Sequence, residues 1–208
     1  MNSSKIYSIV SLLLSLYFRT SQSLQITSLP PLIDVPTYSL ATLDDQGKTC
    51  MNILTYATPV SVRPDRVWSI GIFKGTQTHE NFSKSKRGIL QLLAPRQSKV
   101  VRLLGGSSGK DVDKLQECKK LGFPWIILDG EEEMPLVLPD CVYYLELTLI
   151  GDLIDCGSHD IALCKVNSML IGDEVNEDEI QQIPYLNTAS LREMGIITSA
   201  GRVADLDE

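Results

Sequence analysis

A chain of 208 residues that is 43% hydrophobic and 22% charged has room for one core with appendages, and nothing in it repeats. Its net charge of −7 argues against a general nucleic-acid binder, which needs a basic surface to replace the counterions on phosphate. A small anionic ligand stays open, because a local pocket can be positive on an acidic protein.

The N-terminus reads as a targeting segment. Lys5 precedes a mostly apolar run over residues 6–18, too short to span a bilayer comfortably. Arg19 breaks that run, and Ser21 and Ser23 put small residues at the −3 and −1 positions of a cleavage site after Ser23. A signal peptide over 1–23 is expected, with an uncleaved anchor or an amphipathic transit peptide as the alternatives. Its removal takes away Lys5 and Arg19 and no acid, so the remainder is more acidic still. Three prolines in 24–36 mark a linker, and 37–208 form the expected domain.

Residues 37–43 alternate as a short strand. Asp44-Asp45-Gln46-Gly47 is a turn signal, so 48–57 returns as the second arm of a hairpin. Residues 58–65, with Pro59 and Pro64, read as a loop, and the β-branched and aromatic run 66–74 as a third strand. Gly75 ends it. Thr76 or Thr78 can cap a helix whose first turn holds Glu80, with His79 on its exposed side. A buried strand follows over 88–94, then a short helix over 97–104 stopped by Gly105-Gly106. The loop 107–111 leads to a second short helix over 112–121. Two long strands, 141–151 and 160–172, are joined by a hairpin at 155–158. An acidic loop over 173–179 and a last helix over 188–194 complete the chain. Hairpin-joined strands with brief helices between them predict a mainly β fold with short helices, a closed antiparallel barrel. The dinucleotide fingerprint G-x-G-x-x-G is absent, and strands do not alternate with long helices, so a Rossmann sheet is disfavoured.

The five cysteines, Cys50, Cys118, Cys141, Cys156 and Cys164, are odd in number and include no C-x-x-C pair, which speaks against zinc and against a disulfide framework. Four lie in or beside apolar strand-like runs, where cysteine is usually a small buried hydrophobe. Unpaired cysteines after a signal peptide hint at a reducing destination, such as a plastid reached through the secretory route, against an extracellular or lumenal one. Asn81-Phe82-Ser83 is formally a glycosylation sequon. The loop Gly105 to Asp111 imitates a P-loop. It has three residues between its framing glycines instead of four, and Asp111 follows Lys110 where Ser or Thr must hold Mg²⁺. Trp68 and Trp125 are expected in the core.

The stretch Asn52 to Asn81 carries most of the chemistry. Thr55 to Ser61 offers backbone donors and small hydroxyls, as a flat polar heterocycle requires. Lys74-Gly75-Thr76-Gln77-Thr78 adds a cation, a pliant backbone, two hydroxyls and a helix start, a combination suited to phosphate. A capped helix after a strand is the plainer account of the same residues.

In order and spacing, NILTYATPVSVRPD, KGTQTHEN, LLGGSSGKDVDK and GSHDIALCKV resemble the flavin reductase-like FMN-binding split barrels, which include flavoredoxin-type proteins. The likeness covers about residues 37–172. It implies an antiparallel Greek-key split barrel and flavin contacts from Thr55, Ala57, Thr58, Pro59, Val60 and Ser61. Phosphate contacts are implied from Lys74, Gly75, Thr76, Thr78 and Asn81. His159 stands where the family commonly has Gly-Asp-His, although Ser158 replaces the aspartate here; the resemblance implies that it positions nicotinamide near the flavin. It also implies NAD(P)H as co-substrate, hydride transfer to flavin N5, and a homodimer with the cofactor near the interface. The loop after Gly105 is then a cover for the flavin, against a mobile surface loop; the segment after Gly172 has no clear assignment, and packing across the dimer is one option for it. The competing functions are a non-catalytic FMN electron carrier and a redox-inactive ligand-binding protein.

Overall fold

The computed structural model describes residues 26–27, 31–128, 134–171 and 183–204. The chain divides into two compact units, Met1–Leu32 and Ile33–Glu208, and the fold that follows is that of the second. The expected signal peptide and the acidic loop at 173–179 lie outside the described residues. No helix among the described residues is long and apolar enough to cross a membrane.

Strands β1 (Tyr38–Leu43) and β2 (Thr49–Leu54) form the expected hairpin, with Leu43 opposite Thr49. Its turn is held by Asp44, whose Oδ1 accepts from the backbone N–H groups of Gln46 and Lys48. Gly47 sits at φ +75°, a conformation that L side chains rarely adopt. β3 (Ala57–Ser61) and β4 (Val67–Phe73) follow, then α1 (Gln77–Ser85) and β5 (Arg87–Leu92). A short 3₁₀ turn over Pro95–Gln97 leads into α2 (Ser98–Gly106), and α3 (Lys114–Lys120) comes next. β6 (Tyr143–Leu149), β7 (Ile154–Cys156), β8 (His159–Leu170) and α4 (Thr188–Glu193) complete the order.

All pairings between these strands are antiparallel, in the order β2-β1-β5-β6-β8-β4-β3, with β7 beside β8. Only Thr55 and Tyr56 separate β2 at one end of this path from β3 at the other. Three peptide steps reach about 11 Å, whereas a flat sheet of seven strands would hold its edges roughly 29 Å apart. The sheet therefore curls until its two edges meet. β2 and β3 do not pair across that seam, so the barrel is split there.

The pleat sorts the side chains. Leu40, Leu90, Leu145, Leu147, Ile70, Ile72, Ala162 and Cys164 fill the barrel interior, together with Phe82 of α1. On the outer face of β1, β2, β5 and β6, Ala41, Met51, Ile89 and Tyr144 pack under the helices, against Val100, Val101, Leu104, Cys118 and Leu191. Two buried faces explain why β5 reads as a continuous apolar run. Each fully buried leucine contributes about 1.5–3 kcal/mol of hydrophobic transfer.

Residues 58–61 were expected in a loop and instead extend the edge strand β3, which pairs only with β4. Pro59 is tolerated because an edge strand has one row of unpaired backbone groups. Leu186, Leu191 and Ile197 join the helix-side core, and Thr37 donates its backbone N–H to the Leu186 carbonyl. The described part of the C-terminal segment thus packs on its own chain. Residues 33–36, expected in a linker, pair with it: Val35 and Thr188 exchange hydrogen bonds, and Pro36 bridges to Asn187.

Candidate functional site

Among the described residues, no helix packs on the outer faces of strands β4 and β8. Inward Ile70 and Ile72 alternate with outward Ser69, Gly71 and Phe73. Gly71 lies opposite Ile161 and Phe73 opposite His159, so these four share the outward surface. Against it lies a cavity of about 570 Å³, lined by Thr55, Tyr56, Ala57, Thr58, Ser69, Gly71, Cys156, His159 and Ile161. No aspartate, glutamate, lysine or arginine is among them. Thr55 and Tyr56 are the residues that cross the seam, and β3 contributes its free edge beside them.

His159 is held from two sides. Its ring packs edge-wise on Tyr56 and on Phe73, with centroids 5.2 Å away in both cases. Ser158 Oγ lies 3.0 Å from its Nδ1. Desolvation, helped by the positive charge of Arg202, holds the imidazole below the ordinary histidine value, so it is neutral at pH 7. That neutrality suits an uncharged cavity.

Beyond the end of β4 the chemistry changes. Lys74 Nζ lies 2.9 Å from Asp155 and 3.2 Å from Asp160, and His79 Nε2 lies 2.7 Å from the other Asp160 oxygen. The hydrogen bond from His79 is the largest influence holding the Asp160 carboxyl below its ordinary range, and that from Lys74 does the same for Asp155. Thr76 caps α1: its Oγ1 accepts from the His79 N–H and donates to the Phe73 carbonyl. Gly75 makes the corner possible at φ +78°.

The structure treats the expected site residues unequally. Thr55, Ala57, Thr58 and His159 line the cavity. Pro59, Val60 and Ser61 continue along the same edge strand outside it, and Ser61 Oγ is engaged by the carbonyls of Arg63 and Asp65. Lys74, Gly75 and Thr76 form the corner at the α1 N-terminus. Thr78 and Asn81 turn inward and are buried, which corrects their expected exposure to phosphate. Thr78 Oγ1 lies 3.7 Å from Cys50 Sγ, and Asn81 bonds Thr42 and Gln77. The sequon at Asn81 therefore has no exposed amide to carry a glycan. His79, expected on the exposed side of its helix, is drawn in by Asp160.

Residues 108–112 form a turn around Ser108, and Lys110 pairs with Glu80 of α1 at 3.0 Å; none of them lines the cavity. All five cysteines are free, four buried and Cys156 exposed. Tyr56, Ser69, Gly71, Cys156 and Ile161 escaped the sequence reading. The available signal was β4 itself, where small Ser69 and Gly71 occupy the outward positions between Ile70 and Ile72.

Residues 32–190 match the family described as flavin reductase like domain. The chain belongs to that family. Its members are flavin-binding oxidoreductases, and the split barrel built above is their fold. Flavoredoxin from Methanosarcina acetivorans superimposes with a TM-score of 0.65 at 16% identity, over 80% of this chain and 86% of that one. An FMN-binding protein from Thermus thermophilus, solved with bound 1-cyclohex-2-enone, gives 0.60 at 17% identity, over 76% and 85%. The NADH:FAD oxidoreductase of Streptomyces globisporus, in complex with NAD and FAD fragments, gives 0.56 at 19%, over 68% and 78%. No curated protein matches the chain in sequence.

Proposed function

We propose that the protein holds FMN against the bare wall of β4 and β8 and acts as an NAD(P)H-dependent flavin reductase. The observation that carries this reading is the uncharged cavity of about 570 Å³ beside a lysine-bearing helix N-terminus. Small-molecule sites run about 300–1,000 Å³ and are lined mostly by apolar groups with a few polar ones. The free edge of β3, with Thr55, Ala57 and Thr58, offers backbone N–H and C=O groups to the rim of a flat heterocycle. Ser69 keeps the wall low enough for a ring to approach, and Gly71 makes room for the Tyr56 side chain. Pro59, Val60 and Ser61 flank its outer end.

A phosphate belongs outside the uncharged cavity, at the first turn of α1, where N–H groups lack intrahelical partners and the helix dipole favours an anion. Lys74 is the cation there, and a phosphate competes for it with Asp155. Thr76 serves by capping the helix, and Thr78 and Asn81 by anchoring it from inside. FMN, when bound, supplies the two-electron chemistry, and the protein orients the reactants. Neutral His159, fixed by Ser158, Tyr56 and Phe73, positions the nicotinamide.

Exposed Phe73 and Ile154 lie beside the cavity and give a second copy of the chain an apolar face to cover, which supports a homodimer. We further propose that residues 1–23 are a signal peptide; the N-terminal residue of the mature protein tests this. The function is tested by titrating the full chain with FMN and following NADH and NADPH oxidation. Uptake of one FMN per chain and oxidation that rises with added FMN are expected. FMN uptake without oxidation would leave an electron carrier instead.

A further inference from the structure

We propose that Tyr56 is the residue on which the second planar ring stacks once the flavin is in place; this rests on the flavin reading above. Tyr56 occupies the two-residue connector that crosses the seam, so its backbone has little freedom, and its carbonyl accepts the Gly71 N–H at 2.7 Å. Its side chain lies across Gly71. A Cβ at position 71 would come within 3.0 Å of Tyr56 Cβ and 3.4 Å of its ring, so only glycine leaves the tyrosine where it is. His159 braces the ring edge-wise at an interplanar angle of 80°, and Phe73 braces His159 in turn.

This fixed ring lines the cavity and is nevertheless 62% exposed. A large aromatic surface oriented by Gly71 and His159 and left open suits the face of another π system, which gains from offset or edge-on packing. None of the described lining residues is a lysine or arginine, and the charge that acts on His159 is the cationic Arg202. An uncharged flat ring suits this wall: a reduced nicotinamide, or a small aromatic carbonyl compound.

The experiment uses the FMN-loaded full chain and compares wild type with Tyr56→Ala, Tyr56→Phe and Gly71→Ala. Flavin fluorescence reports the Kd for FMN, and perturbation of the flavin spectrum reports the Kd for NAD⁺ and for 4-hydroxybenzaldehyde, two probes that are not turned over alone. Tyr56→Ala is expected to weaken a second-ring ligand about tenfold, and Tyr56→Phe to restore it. Gly71→Ala, which displaces an unaltered tyrosine, should weaken it in the same direction. FMN affinity should fall less than second-ring affinity in all three, because in the reading above FMN also contacts Thr55, Ala57 and Thr58. Loss confined to NAD⁺ assigns the ring to the nicotinamide, and loss confined to the aldehyde assigns it to an aromatic carbonyl substrate. Unchanged affinity for both probes in loaded protein, or an equal fall in FMN affinity, would overturn the assignment of Tyr56. Failure of wild type to take up FMN would instead overturn the reading beneath it.

Discussion

The barrel has two kinds of wall. Where β1, β5 and β6 run, both faces are buried, one in the barrel interior and one beneath α2 to α4. Where β4 and β8 run, only the inner face belongs to a core, and the outer face meets the cavity. One sheet thus supplies stability on one side and a ligand surface on the other. The outward residues show the division: Ala41, Ile89 and Tyr144 under the helices, against Ser69, Gly71 and His159 on the bare wall.

Truncation should separate the walls most sharply. Leu90→Ala, fully buried within the barrel, is expected to cost about 2–5 kcal/mol. Ile161→Ala, half-buried on the bare wall, should cost no more than about 1 kcal/mol. Paired urea denaturations check this, and equal losses would erase the distinction. Smaller, and specific to the corner, is Thr76→Ala. Loss of the α1 cap should cost about 1 kcal/mol, and the same variant should bind FMN more weakly, read by the same fluorescence titration. Unchanged FMN affinity would remove the α1 N-terminus from the site.

The charged corner adds a pH dependence. Asp155 and Asp160 are held below the ordinary aspartate value of 3.8 in the folded chain. The folded state therefore binds fewer protons than the unfolded one near that pH. The stability they contribute is complete above the unfolded value and is lost as pH falls through their folded values. Acid unfolding followed by circular dichroism should shift to higher pH in Asp160→Asn. The smallest effect belongs to Asp155→Asn. That exposed carboxylate should leave stability nearly unchanged, yet its removal leaves Lys74 with Asp160 as its remaining partner and should tighten FMN binding. Weaker binding would show that Asp155 is no competitor for the cation.

Much of the covered wall could be read from the chain, because burial on both faces leaves a continuous apolar run at β5 and short-range chemistry sets the Asp44 turn and the Thr76 cap. The bare wall was harder. Residues 58–61 hid as a loop because proline argues against a strand until the strand is known to be an edge. His79 and Asp160 are 81 residues apart and carry no local mark of their contact. Thr78 and Asn81 looked like phosphate ligands by residue type, but the pitch of α1 turns them inward beside Phe82. Tyr56 drew no notice in sequence because its value lies in Gly71, fifteen positions on and adjacent only once β3 and β4 pair.

The central claim, that the bare wall is the flavin site, is tested most directly by FMN titration of the full chain beside Ser69→Trp, which places a large ring on the cavity wall. Wild type should quench FMN fluorescence to a one-to-one endpoint, and a folded Ser69→Trp protein should not. Equal binding by both would contradict the claim.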